Sequence, residues 1–210
     1  MRNLAWRERA LALFLLCSAS SVFGGTILFL GDSITAGRGV EQAQAFPALI
    51  QEKIRAQHLP YDVINAGLSG DTTAGGLSRL DWILQKPIDV LVLELGANDG
   101  LRGLPIPAMK QNLQEIMDRV KAKNPPVKIV IAGMEIPPNF GAQYAADFRA
   151  AFPELAEKNH AALIPFLLEG VGGHPDLNQA DQIHPTAAGH KIVAKNVWRI
   201  LAPLLTKSGS

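Results

Sequence analysis

Ser33 sits in the run Gly31-Asp32-Ser33-Ile34-Thr35, directly after an apolar segment, and is the first residue whose setting suggests chemistry. A serine hydroxyl attacks a carbonyl only if a base takes its proton, so a histidine must be able to reach it. Of the 5 histidines, His184 is best placed, in Asp181-Gln182-Ile183-His184-Pro185. Within one turn, that spacing lets Asp181 accept the Nδ1–H of His184 and leaves Nε2 free as the base. His58, His160 and His190 fall in or beside helical patterns with no neighbouring carboxylate, which suits surface or core roles. His174, in a loop before Pro175 and Asp176, is the one rival base. Gly-Asp-Ser alone is most often only a turn, and Asp-x-x-His-Pro only a helix entry.

Acyl transfer also needs donors aimed at the developing oxyanion. Asn98, in Gly96-Ala97-Asn98-Asp99, offers a side-chain amide, Gly67 offers an unobstructed backbone N–H, and the Ser33 N–H is the third candidate. Asn98-Asp99-Gly100 reads equally as a turn and Gly67 as a tight bend. Ser69 competes as nucleophile, but Gly-x-Ser-x-Gly would need glycine where Asp71 stands. No third histidine or carboxylate shares the Asp181–His184 segment at metal-ligand spacing, so no metal is expected.

These residues need a scaffold. Short apolar runs without strict alternation, expected for strands covered on both faces, occur at Thr26–Leu30, Tyr61–Ala66, Val90–Leu95, Val127–Ala132 and Ala162–Ile164. Helical periodicity appears at Phe46–Gln57, Thr72–Gln85, Pro107–Lys123, within Ala142–Asn159, and from Pro185 to Leu201, with Pro153 expected to break or kink the fourth. The alternation predicts one α/β domain: a five-stranded parallel sheet in the order 2-1-3-4-5, between helical layers. Ligands bind at the carboxyl ends of such strands, where Gly31–Gly39, Gly67–Thr73 and Gly96–Gly103 fall.

Arg2, Arg7 and Arg9, the apolar run Ala10–Cys17 and the small residues after it have the order of a secretory signal peptide. Residues 1–24 are read as that signal, with cleavage after Ser20 or Gly24, and 25–210 as the hydrolase domain. The apolar run is shorter than the roughly 20 residues that span a bilayer, so no stable membrane anchor is expected. The single cysteine, Cys17, lies in this segment, which excludes a cysteine nucleophile or thiolate metal site from the exported chain. The net charge of +1 includes three Arg and one Glu from residues 1–24, so processing leaves −1. That balance gives no electrostatic case for nucleic acid.

Four segments, in order from Gly31 to Pro185, resemble the SGNH (GDSL-type) serine hydrolases, most closely the exported bacterial thioesterase, lysophospholipase and arylesterase branch. The run Gly96–Gly103 and the loop Pro137–Gly141 carry the closer likeness. Carried over, the resemblance implies Ser33, Asp181 and His184 as the triad and Ser33, Gly67 and Asn98 as the oxyanion donors. It also implies a three-layer α/β/α fold and no cofactor. Ile34 departs from the leucine frequent at that place. Apolar loop residues Leu101, Leu104, Ile136 and Phe140 suggest an acyl-binding groove, although packing on the core would equally account for them. The expected substrate is a small acyl ester or thioester, acted on by a periplasmic or secreted monomer. A carbohydrate acetyl esterase is the alternative enzyme, and a lipid- or glycan-binding protein on a hydrolase scaffold the non-enzymatic one.

Overall fold

The computed structural model describes residues 24–205, so the signal-peptide reading lies outside the described residues. Five strands, β1 (Gly25–Gly31), β2 (Tyr61–Gly67), β3 (Val90–Glu94), β4 (Lys128–Ala132) and β5 (Ala162–Ile164), form one parallel sheet in the order β2-β1-β3-β4-β5. This is the expected order, with helices on both faces. The central strands bear out the two-sided reading: Ile27 to Leu30 and Leu91 to Val92 are wholly buried. Edge strand β2 alternates instead, leaving Ile64 exposed.

Among the described residues eight α-helices flank the strands: α1 (Ser33–Ala36), α2 (Phe46–Ala56), α3 (Thr73–Ser78), α4 (Leu80–Ile83), α5 (Ala97–Leu101), α6 (Ile106–Lys123), α7 (Ala142–Asn159) and α8 (Ala187–Leu201). Helix α2 packs on α8, and α6 lies against both α3 and α7. The single helix expected over Thr72–Gln85 is two, with the break at Arg79 (φ −100°, ψ 1°). Arg79 turns its guanidinium back to Asp71 at 2.7 Å. Helix α7 runs through Pro153 without the break that is one of the two outcomes expected there. A proline inside a helix costs about 3 kcal/mol. Burying Phe148, Phe152 and Leu155 on the same helix returns about 1.5–3 kcal/mol each, which outweighs it.

Register brings the chemistry together. Gly31, at the end of β1, lies opposite both Gly67 of β2 and Glu94 of β3. The loops after these three strands therefore open on the same edge of the sheet.

The α2–α8 contact contains a fully buried histidine. Helix α2 begins at Ala45 with no side-chain cap, and the Phe46 N–H donates instead to Nδ1 of His190 at 3.3 Å. The His190 ring stacks on Phe46, and its Nε2 has no partner among the described residues. Burial, with a smaller contribution from the nearby His184, lowers the His190 pKa to about 4. The neutral ring is needed in the fold, whereas the unfolded chain takes up the proton near pH 6.5. The His190 contribution is thus complete above pH 6.5 and is lost as pH falls toward 4. In urea unfolding, the stability gap between wild type and His190→Asn should narrow by roughly 2.5 kcal/mol from pH 7 to pH 4.5. A gap independent of pH would show that His190 does not titrate in this way.

Candidate active site

Asp32 opens α1 as its N-cap, Oδ1 accepting from the Ile34 N–H at 3.0 Å. That cap turns the chain sharply out of β1 and sets Ser33 as the first helical residue. As the first residue of a helix, Ser33 has a backbone N–H without a helical acceptor, and it makes no bond to another protein group among the described residues.

Ser33 Oγ lies 2.8 Å from His184 Nε2, and His184 Nδ1 lies 2.6 Å from Asp181 Oδ2. Ser33 and His184 are both buried. The structure therefore brings together the three residues that the sequence places 151 and 3 positions apart. His174 is exposed, and its side chain makes no bond to Ser33; Ser69 is exposed in a turn. The Asp181–His184 turn depends on Gln182, whose φ of 58° folds the chain back. Asp181 Oδ1 then accepts from both the Ile183 and His184 N–H groups at 3.0 Å. The His184 N–H, followed by that of Ile183, holds the Asp181 carboxyl well below its usual range. An ionised Asp181 fixes the Nδ1–H tautomer of His184, and Nε2 is left to accept the Ser33 proton.

The oxyanion side differs from expectation at one residue. The Gly67 N–H already donates to Asn65 Oδ1 at 2.9 Å. Glycine is needed at 67 for another reason, since a Cβ there would collide with the backbone of Ala36 and Thr35. Gly67 is thus a close-packing position between β2 and α1, and its donor is occupied. Among the described residues the Gly70 N–H, three residues on, has no protein acceptor, as is also true of the Ser69 and Thr72 N–H groups of this loop. Gly70 occupies the third position of a turn closed by Asp71 N–H to Leu68 O at 3.0 Å, and its φ of 84° is one that turn requires. Arg102 Nη2 holds the Gly70 carbonyl at 2.8 Å. The sequence carries the signal for Gly70, because Leu-Ser-Gly-Asp is a turn with glycine where φ turns positive.

Asn98, near the start of α5, points Nδ2 between Asp71 O at 2.9 Å and Asp32 Oδ2 at 3.1 Å. Its two amide hydrogens tie the β3 loop to both of the other loops. Asp32 is almost wholly buried, and burial is the main reason its pKa rises to about 6. Asp99 is also buried and accepts from the Thr73 N–H at 2.8 Å and the Thr73 hydroxyl at 2.6 Å, which anchors α3 to α5.

Beside Ser33 lies a cleft of about 270 Å³ lined mainly by apolar groups, among them Ile34, Ala97, Leu101, Met134, Ile136, Phe166 and Leu168. Leu101 and Ile136 line it as expected. Leu104 does not: it lies outside the cleft, and its carbonyl accepts from the Tyr144 hydroxyl at 2.7 Å. Phe140 packs on the hydrophobic core instead. Phe166 and Leu168 escape sequence reasoning because they follow β5, in a segment with no polar marker.

Comparison with known proteins shows the family. The model of the "GDSL-like Lipase/Acylhydrolase family" matches residues 29–192. The chain belongs to this family. It is 41% identical to "Esterase TesA" of Pseudomonas aeruginosa, over 93% of this chain and 96% of that protein. To "Thioesterase 1/protease 1/lysophospholipase L1" of Escherichia coli strain K12 it is 38% identical, over 86% of this chain and 85% of that protein. The crystal structure of TesA superposes with a TM-score of 0.82 at 41% identity, covering 86% of this chain and 99% of that one. The chain is, with them, a GDSL-type serine hydrolase. No helix among the described residues is long and apolar enough to cross a membrane.

Proposed function

We propose that the protein is an exported esterase or acyl-thioesterase that cleaves acyl esters or thioesters through Ser33, His184 and Asp181. The observation that carries this reading is the unbroken hydrogen-bonded series from Ser33 Oγ through His184 to Asp181. Ser33 Oγ attacks the carbonyl while His184 Nε2 takes its proton, and Asp181 stabilises the resulting imidazolium. The Ser33 N–H, the Gly70 N–H and the Asn98 amide receive the oxyanion, Gly70 replacing Gly67 in that role. Asn98 does so by giving up its longer bond, the one to Asp32. His184 then protonates the leaving alcohol or thiol, and water attacks the acyl-enzyme with His184 again as base. No metal or organic cofactor enters these steps.

The apolar cleft beside Ile34 takes the acyl chain, with Leu101 and Ile136 among its walls. Its volume lies just below the usual range for small-molecule sites, about 300–1,000 Å³, which favours short and medium chains over long ones. Each buried methylene is worth about 0.8 kcal/mol, or roughly fourfold in kcat/KM. On a series of aryl esters, kcat/KM should rise from acetyl to butyryl by more than tenfold and fall again once the cleft is full. Activity confined to acetyl esters, or higher on acetylated xylan, would favour the carbohydrate esterase and overturn this assignment.

A further inference from the structure

Behind the nucleophile lies a carboxyl group that none of these steps uses. Glu94 ends β3, is wholly buried, and stands opposite Gly31 in the sheet. Its Oε2 accepts from the Asp32 N–H at 3.1 Å and from the Thr35 hydroxyl at 2.7 Å. These two donors belong to residues on either side of Ser33. Glycine at 31 is part of the same arrangement, because a Cβ there would fall on both Glu94 Oε2 and Thr35 Oγ1. Glu94 Oε1 has no partner among the described residues.

Charge decides the state of this group. Arg79, a cation beside the turn, is paired with Asp71 at 2.7 Å and donates to the Gly31 carbonyl at 3.2 Å. Asp32, a second buried carboxyl, sits beside Glu94. A carboxylate with one bare oxygen, no cation and an acidic neighbour is the costliest form this site could hold. Burial and then the Asp32 charge push the Glu94 pKa well up, in keeping with that geometry. The uncharged acid still offers Oε2 to both donors.

We propose that Glu94 is a positioning residue that clamps the Asp32–Thr35 turn and so fixes where Ser33 Oγ stands. It touches no reacting atom and acts through its two neighbours. The proposal rests on Ser33 being the nucleophile, and the test separates the two claims.

The test compares Glu94→Leu, Glu94→Gln and Thr35→Val with wild type, reading kcat and KM on an aryl ester and the rate of labelling by a fluorophosphonate. Displacing a reacting atom by about 1 Å costs on the order of 10²-fold in rate. Glu94→Leu should therefore lose about 100-fold in kcat and in labelling rate, with KM nearly constant. Glu94→Gln supplies a neutral side chain of the same shape and should recover most of that loss. Thr35→Val removes one arm of the clamp at constant volume and should lose roughly tenfold in kcat. It decides the matter if Glu94→Leu does not fold. Full activity in Glu94→Leu or Thr35→Val, or a loss in Glu94→Gln as deep as in Glu94→Leu, overturns the proposal. Ser33→Ala is run alongside: if it is labelled, the nucleophile assignment itself fails, whatever the Glu94 variants do.

Discussion

Ser33→Ala should lower kcat on any ester substrate by on the order of 10⁴-fold or more, leaving only what binding and the oxyanion donors supply without a nucleophile. The fold should survive the change. Only the Oγ atom is removed, and its one hydrogen bond, to His184 Nε2, is worth about 1 kcal/mol net. The backbone N–H of residue 33 is retained, so one oxyanion donor persists in the variant. Melting temperature near that of wild type, together with the full loss of kcat, is the combined result that separates a nucleophile from a packing residue. A loss of less than tenfold would move the nucleophile elsewhere, and the exposed Ser69 would then have to be reconsidered.

The second large effect belongs to Asn98. Asn98→Ala should cost roughly 10²–10³ in kcat, about 3–4 kcal/mol of transition-state stabilisation. Two kinds of loss are combined in this variant, and kinetics can separate them. The missing amide no longer meets the oxyanion, which lowers kcat with little change in KM. It also leaves the buried Asp32 Oδ2 and the Asp71 carbonyl without their donor, which lowers stability by about 1–3 kcal/mol. A drop in melting temperature with kcat within threefold of wild type would make Asn98 a tie between loops and nothing more.

Much of the fold and of the site is legible in the amino-acid sequence. The buried strands are read from β-branched and leucine-rich runs, because a central parallel strand has no polar face to interrupt the pattern. The triad is read from chemistry, since a serine needs a base and the base needs an orienting carboxylate. Helices α1 and α5 escape such a reading: at 4 and 5 residues they are too short to show a period. Their origin lies in cap and turn geometry, as with the Asp32 side chain at the start of α1. Gly67 and Gly70 look alike in sequence, yet one is glycine for lack of room and the other for its positive φ. Only the hydrogen bond from Gly67 to Asn65 tells which N–H is free. Leu104 and Phe140 are apolar loop residues near the site, but proximity along the chain does not decide which way a side chain faces. Glu94 reads as no more than the end of a strand, although a carboxylate within Val-Leu-Val-Leu-Glu-Leu is itself a signal. A buried acid requires a partner, and here its partners are the two flanks of the nucleophile.

The mechanism stands or falls on Ser33 Oγ as the attacking atom. Its sharpest test is reaction of the purified protein with a fluorophosphonate, followed by peptide mass spectrometry to locate the adduct. One adduct per chain is expected, on Ser33, formed slowly or not at all in His184→Ala and absent in Ser33→Ala. An adduct on any other residue, or labelling of Ser33→Ala at the wild-type rate, would contradict it.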